Sequence, residues 1–142
     1  LSGGAEVGVR PAGEADVEVV LRLWDVARSP AATTSDDAAT VERLLAHDPG
    51  ALLLADRDGQ IVGTAIATWD GWRGHIYRLA VLSGYRRQGV GRLLVGAGQE
   101  RLRALGATTV SAVGQDEPGP IAFWTAIGYR LDPGMLRFAK SL

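Results

Sequence analysis

The stretch Leu79-Ala80-Val81-Leu82-Ser83-Gly84-Tyr85-Arg86-Arg87-Gln88-Gly89-Val90-Gly91-Arg92 concentrates the residue types that hold an anion. An apolar run passes into a basic, glycine-containing loop, and the spacing beyond it predicts a helix that starts on that loop. The first backbone N–H groups of a helix lack partners of their own and point outward, so they can bind a diphosphate. Gly89 and Gly91 bring no Cβ to obstruct the anion, while Arg86, Arg87 and Arg92 add formal charge. Spacing narrows the choice of ligand. A nucleotide phosphate loop needs Gly-Lys followed by Ser or Thr, which this chain lacks. A dinucleotide fingerprint would place a third glycine at position 94, where this chain has Leu94.

The rest of the reactive inventory is short. None of the 142 residues is cysteine, which removes disulfides, thiolate metal sites and an acyl-cysteine intermediate. Two histidines, His47 and His75, stand far apart, so no metal is expected. His47 precedes Pro49 and reads as a cap at a helix C-terminus. Fifteen Lys and Arg against sixteen Asp and Glu leave a net charge of -1, which argues against a nucleic-acid or membrane partner. No apolar run approaches the ~20 residues of a membrane helix. Leu1-Ser2-Gly3-Gly4-Ala5 has neither the basic start nor the apolar core of a signal peptide. The expectation is a cytoplasmic protein of one domain over residues 1–142, with residues 1–6 a processing remnant or disordered, and either a monomer or a homodimer.

These side chains need a scaffold, and the apolar pattern supplies one. Residues 7–10 alternate as a short strand. Val17, Val20, Leu21 and Trp24 recur at helical spacing, with Glu14 and Asp16 near the positive end of that helix. Ser35-Asp36 announces a second helix carried by Val41, Leu44 and Leu45 and stopped near Asp48-Pro49-Gly50. Residues 51–55 and 60–68 are strands joined by Asp56-Arg57-Asp58-Gly59, a hairpin signal. A turn over residues 69–74 leads to a strand at 76–82. Val90, Leu93, Leu94, Ala97, Leu102 and Leu105 then mark one face of a long helix closed by Gly106. Gly96 and Gly98 weaken that helix by roughly 1 kcal/mol each unless close packing compensates. The β-branched run at 108–113 follows as a parallel strand of a βαβ crossover. A short helix at 120–127, stopped by Gly128, and a last strand at 136–139 complete the order β-α-α-β-β-β-α-β-α-β. The fold class is α/β, a mixed sheet with helices on both faces.

Within this frame, Arg86-Arg87-Gln88-Gly89-Val90-Gly91 resembles the Arg-x-x-Gly-x-Gly signature of the GNAT N-acetyltransferases. Ile121-Ala122-Phe123-Trp124-Thr125-Ala126-Ile127-Gly128-Tyr129 resembles that family's later motif, an aromatic pair followed by Gly-aromatic. Val9-Arg10-Pro11-Ala12 with Asp16 is similar to how many members begin, so the resemblance spans roughly residues 7–139. Two positions depart from it. Ser83 stands where proline is frequent, and Trp124 stands where many members have tyrosine.

The resemblance implies antiparallel N-terminal strands, a splayed parallel pair, and acetyl-CoA as cosubstrate. Arg86, Arg87, Gln88, Gly89, Val90, Gly91 and Arg92 would hold its diphosphate. The backbone of Ala80, Val81 and Leu82 would hold the pantetheine arm, with the Leu82 N–H polarising the thioester carbonyl. Phe123 and Trp124 would lie beside the thioester, although both serve equally as core aromatics. The acceptor would be a primary amine on a small molecule or peptide, attacking acetyl-CoA directly in a ternary complex. His75 falls where the histone-acetylating branch places a glutamate base, and a free imidazole, titrating near ~6.5, suits that role. A surface histidine at a strand end is the other reading of the same residue. Trp24, Trp69 and Trp72 are candidates to line the acceptor pocket, with core or hairpin packing the alternative for Trp24 and Trp69. A non-catalytic acyl-CoA-binding or sensor domain, and more remotely a nucleotide-binding module, remain the rival functions.

Overall fold

The computed structural model describes residues 6–27 and 36–142. The expectations for Leu1-Ser2-Gly3-Gly4-Ala5 and for Ser35 lie outside the described residues. Along the chain run β1 (Gly8–Pro11), α1 (Val17–Val26), α2 (Ala38–His47), β2 (Leu52–Arg57), β3 (Gln60–Trp69), β4 (Gly74–Val81), α3 (Val90–Leu105), β5 (Val110–Ala112) and α4 (Pro118–Ala126). The five strands form one sheet in the order β1-β2-β3-β4-β5. All neighbours are antiparallel except β4 and β5, which are parallel.

Local chemistry explains most boundaries. Asp58 and Gly59, both at positive φ (55° and 79°), turn β2 into β3, and the Gly59 N–H donates to the Asp56 carboxylate at 2.8 Å. This is the turn whose twist matches a hairpin. Asp37 caps α2 by accepting from the Thr40 N–H at 2.8 Å, which holds its carboxyl below the usual range. Arg10 of β1 reaches Asp16 ahead of α1 through two contacts of 2.9 Å, and that pairing lowers the Asp16 pKa. His47 closes the last turn of α2 as an exposed residue.

The sheet separates two apolar layers. Leu52 and Leu54 of β2 face α1 and α2, where Val17, Val20, Leu23, Trp24, Val41 and Leu45 pack. Leu53 and Ala55 face the other way, toward Val90, Leu94, Val95 and Leu102 of α3. The buried stripe of α3 therefore runs through Val90, Leu94, Gly98 and Leu102, four residues apart, with Val95 beside it. Leu93 and Leu105, expected on that face, sit on its rim at 47% and 45% exposure.

The two helix glycines differ. A Cβ on Gly98 would lie 3.3 Å from the Ala67 Cβ, so its absence lets α3 approach the sheet, whereas a Cβ on Gly96 meets nothing within 4 Å. Gly96→Ala should raise stability by about 0.5–1 kcal/mol in urea unfolding, and Gly98→Ala should give no such gain.

Two strand expectations change. The strand over 108–113 shortens to β5, three residues long. The strand over 136–139 does not form. Leu136 and Phe138 are exposed, and the nearby backbone contact is a turn from the Met135 N–H to the Asp132 carbonyl. Alternating apolar residues stabilise a strand only where an edge takes the backbone and a core face takes the side chains.

Candidate functional site

β4 ends at Val81, and the chain makes a tight turn over Ser83–Tyr85 before α3. Arg87 (φ 62°) and Gly89 (φ 84°) both hold left-handed backbone, which bends the loop so that α3 begins at Val90. Gly89 is the N-cap and no side chain caps this helix; the Leu93 N–H returns to the Gly89 carbonyl at 3.0 Å. The N–H groups of Val90, Gly91 and Arg92 are thus left without an intrahelical acceptor, at the positive end of sixteen helical residues. Arg86, Arg87 and Arg92 are exposed around them. Arg86 Nε donates to the Val81 carbonyl at 3.1 Å. Gln88 braces the loop, donating to the Gly84 carbonyl at 3.1 Å and accepting from Arg57 at 3.0 Å.

The two signature glycines do different work. A Cβ on Gly89 would meet no protein atom within 4 Å, so this glycine serves the left-handed turn and leaves the space above it open. At Gly91 a Cβ would come within 3.0 Å of the Phe123 ring. Gly91 therefore lets α4 close on the start of α3, a role the motif alone does not disclose.

The outer edge of β4 is open where the expected splay begins. β5 pairs with Gly74, His75 and Ile76, and the Val113 N–H to the Ile76 carbonyl (3.2 Å) is the last tie. Backbone groups of Gly74 and Ile76 point to β5, yet the Leu82 N–H points the other way and donates to the Val62 carbonyl of β3 at 2.9 Å. Even-numbered residues face opposite edges because β4 carries one extra residue. Ile66 pairs with Tyr77 while Thr64 pairs with Ala80, and Arg78 between them has φ 51°. Beyond this bulge Ala80 and Leu82 turn their backbone to β3, and Leu79 and Val81 turn theirs to the open edge. The expected oxyanion contact at Leu82 is corrected accordingly: that N–H is engaged within the sheet. Leu79, whose backbone faces the open edge, is not among the residues expected from the sequence, and no local signal marks it, since a bulge is a property of pairing.

α4 brings Phe123 and Trp124 to this side. Phe123 lies on Gly91, and the Trp124 indole lies against Gly114, where a Cβ would be 3.0 Å from Nε1. Trp124 meets Tyr129 edge-to-face at 4.8 Å and Phe123 at 5.4 Å. The Tyr129 hydroxyl is occupied, donating to Gln99 at 2.9 Å, and burial pushes its pKa up. Both features make this phenol a poor proton donor.

His75 sits at the other end of β4, half-buried and stacked on Tyr77 at 5.9 Å between ring centres. Its Nε2 is 3.3 Å from the Asp70 carboxylate. Asp70 accepts from the N–H groups of Arg73 (2.6 Å) and Trp72 (2.7 Å), which hold its carboxyl below the usual range. The tryptophans divide. Trp24 is buried under the sheet, Trp69 packs partly against the α3 layer, and Trp72 is 73% exposed beneath the Arg73 guanidinium. Among the three, Trp72 alone is free to meet a solute broadly.

Comparison with known proteins finds relatives both in sequence and in fold. A profile of the acetyltransferase (GNAT) family matches residues 17–129. Acetyltransferase SG1711 of Sodalis glossinidius is 30% identical over 131 residues, covering 89% of each chain. Acetyltransferase ECA0875 of Pectobacterium atrosepticum is 31% identical over 118 residues, 80% of this chain and 81% of that one. In solved structures the same fold recurs in the aminoglycoside N-acetyltransferase AAC(6')-Iy in complex with CoA (TM-score 0.80, 21% identity, 100% of this chain and 99% of that one). It recurs also in Ard1 from Thermoplasma volcanium (TM-score 0.77, 23% identity, 89% and 84%).

Proposed function

The chain belongs to the GNAT acetyltransferase family, and from that premise we propose that it transfers an acetyl group from acetyl-CoA to a primary amine by direct attack. One observation carries the reading: β4 is unpaired with β5 beyond Ile76, and the short basic loop that follows β4 ends in a helix start with unpaired N–H groups. A pantetheine arm can add to such an edge as a strand would, and a diphosphate fits the helix start. The residues present suit acetyl-CoA, which supplies a thioester carbonyl as electrophile and a thiol as leaving group.

The roles divide by position. Val90, Gly91 and Arg92 offer N–H groups to the diphosphate, and Arg86 and Arg87 neutralise its charge. Leu79 and Val81 offer N–H groups along the open edge, where one of them stabilises charge building on the thioester oxygen. Trp124 and Phe123 cover the site and exclude water. An acceptor ammonium of the lysine type, with a pKa of ~10.4, must lose its proton before attack. His75 takes that proton, directly or through a water, and Asp70, 3.3 Å from its Nε2, holds the imidazole in place. The departing thiolate, of pKa near ~8.5, needs no strong acid. A small-molecule amine is the favoured acceptor class, in keeping with the aminoglycoside acetyltransferases that share the fold.

The test is turnover of acetyl-CoA across aminoglycosides, polyamines, amino acids and peptides. With an active acceptor, initial rates varying both substrates should give intersecting lines and no acetylated enzyme in a mass spectrum. His75→Ala should lower kcat at least tenfold with acetyl-CoA affinity unchanged, and the acidic limb of the pH–rate profile should disappear. Wild-type kcat in that variant would remove His75 from the mechanism. CoA binding with no turnover of any amine would favour an acyl-CoA sensor instead.

A further inference from the structure

Thr64 of β3 is fully enclosed, and its hydroxyl makes two bonds. It accepts from the indole N–H of Trp24 at 2.8 Å and donates to the main-chain carbonyl of Arg78 at 3.0 Å. That carbonyl belongs to the residue at which β4 bulges. Arg78 holds a left-handed φ of 51°, which a residue with a side chain keeps only when its surroundings over-determine it. Its other end is held too. The guanidinium pairs with Asp36 ahead of α2 and lies over the Trp24 ring, 5.1 Å from its centre. Trp24 thus acts on Arg78 twice, through Thr64 on the backbone and through its ring on the side chain.

The bulge decides which backbone groups reach the open edge. Without the extra residue, Ala80 and Leu82 would face outward and Leu79 and Val81 would face β3. A bulge frees a carbonyl from the ladder, and inside a protein a freed carbonyl persists only with a partner. Thr64 is that partner. We propose that Thr64 and Trp24 are positioning residues for acyl transfer: they lock Arg78 in the bulge and so keep the N–H groups of Leu79 and Val81 turned toward the acyl-CoA. The inference rests on the function proposed above. It differs from plain core filling, for which a valine of the same shape at position 64 would serve as well as threonine.

Three variants separate these readings. Thr64→Val keeps the shape but strands the Arg78 carbonyl and the Trp24 N–H, Thr64→Ser keeps the hydroxyl, and Trp24→Phe keeps a ring without a donor. Leu45→Ala, in the buried layer between α1 and α2, is a control for general loss of stability. Acetyl-CoA Kd by calorimetry, kcat, and amide hydrogen exchange at residues 79–82 are measured where each variant is folded. T64V should raise Kd and speed exchange at least tenfold and lower kcat, W24F should change both Kd and exchange in the same direction, and T64S should stay within threefold of wild type. L45A should lower Tm while leaving Kd within threefold. T64V indistinguishable from wild type in Kd and exchange overturns the proposal, as does L45A weakening Kd as much as T64V. Should T64V fail to fold, W24F with unchanged Kd and exchange overturns it. Wild-type protein that binds no acetyl-CoA would instead overturn the proposed function, and this inference with it.

Discussion

Gly91→Glu should raise the KM for acetyl-CoA at least a hundredfold while the protein remains folded. Two effects act together. A carboxylate at the second position of α3 opposes a diphosphate bound at that helix start, and like charges at close range in a partly enclosed site repel strongly. The new Cβ would also meet the Phe123 ring at 3.0 Å, so the ring must give way. Gly91→Ala separates the contributions, because it introduces the contact without the charge. It should raise KM modestly, roughly three- to tenfold, about 1 kcal/mol of binding, with a small loss of Tm from the displaced ring. Gly89→Ala works differently again. Its Cβ meets no protein atom, but φ is 84°, and left-handed backbone costs a residue with a side chain about 1–2 kcal/mol. Calorimetric titration with CoA across the three variants checks the assignment. Unchanged affinity in a folded Gly91→Glu protein would move the diphosphate away from this loop.

Trp124→Ala should weaken CoA binding at least tenfold and destabilise the fold by about 1–3 kcal/mol, less than the ~3–5 kcal/mol of a fully buried large aromatic because Trp124 is half-buried. The indole packs on Gly114 and meets both Phe123 and Tyr129, so its removal leaves a gap beside the open edge of β4. Trp124→Phe should keep most of kcat. An indole N–H is far too weak an acid to protonate a departing thiolate, so the role left to this ring is packing and exclusion of water. Trp124→Tyr is the sharper measurement. If proton donation to the departing thiolate limited the rate, tyrosine at this position would speed turnover tenfold or more, equivalent to roughly 1.4 kcal/mol of barrier. The expected rate is within threefold of the natural enzyme, since the thiolate leaves readily. Tyr129 does not fill the missing role, because its hydroxyl is bound to Gln99 and burial raises its pKa.

Features encoded over a few neighbouring residues were readable from the sequence. The Asp58-Gly59 turn demands two left-handed residues and has the types that adopt them. The periodic apolar positions of α1, α2 and α3 fix which faces are buried, apart from Leu93 and Leu105, which fall on a rim that the spacing cannot resolve. The basic loop with Gly89 at the helix start was legible for the same reason: left-handed backbone, unpaired N–H groups and arginines are all local. Thr64, by contrast, carried at most a faint signal, a lone hydroxyl in the apolar run Gly63-Thr64-Ala65.

What the sequence determined by itself was the family signature, the basic glycine loop at the start of α3 and the order of helices and strands through α4, because each rests on short-range sterics and periodicity. The tertiary structure decided which backbone groups face the open edge. A strand read alone alternates with period two, and from that alternation Leu82 is as good a donor as Leu79. Pairing with β3 inserts one extra residue at Arg78, reverses the parity, and commits the Leu82 N–H to Val62. Gly91 carries the same lesson, since its contact with Phe123 joins helices separated along the chain. The strand expected at 136–139 fails for the complementary reason: its residues alternate suitably, but no edge receives their backbone, and alternation without a partner has no folding energy to offer.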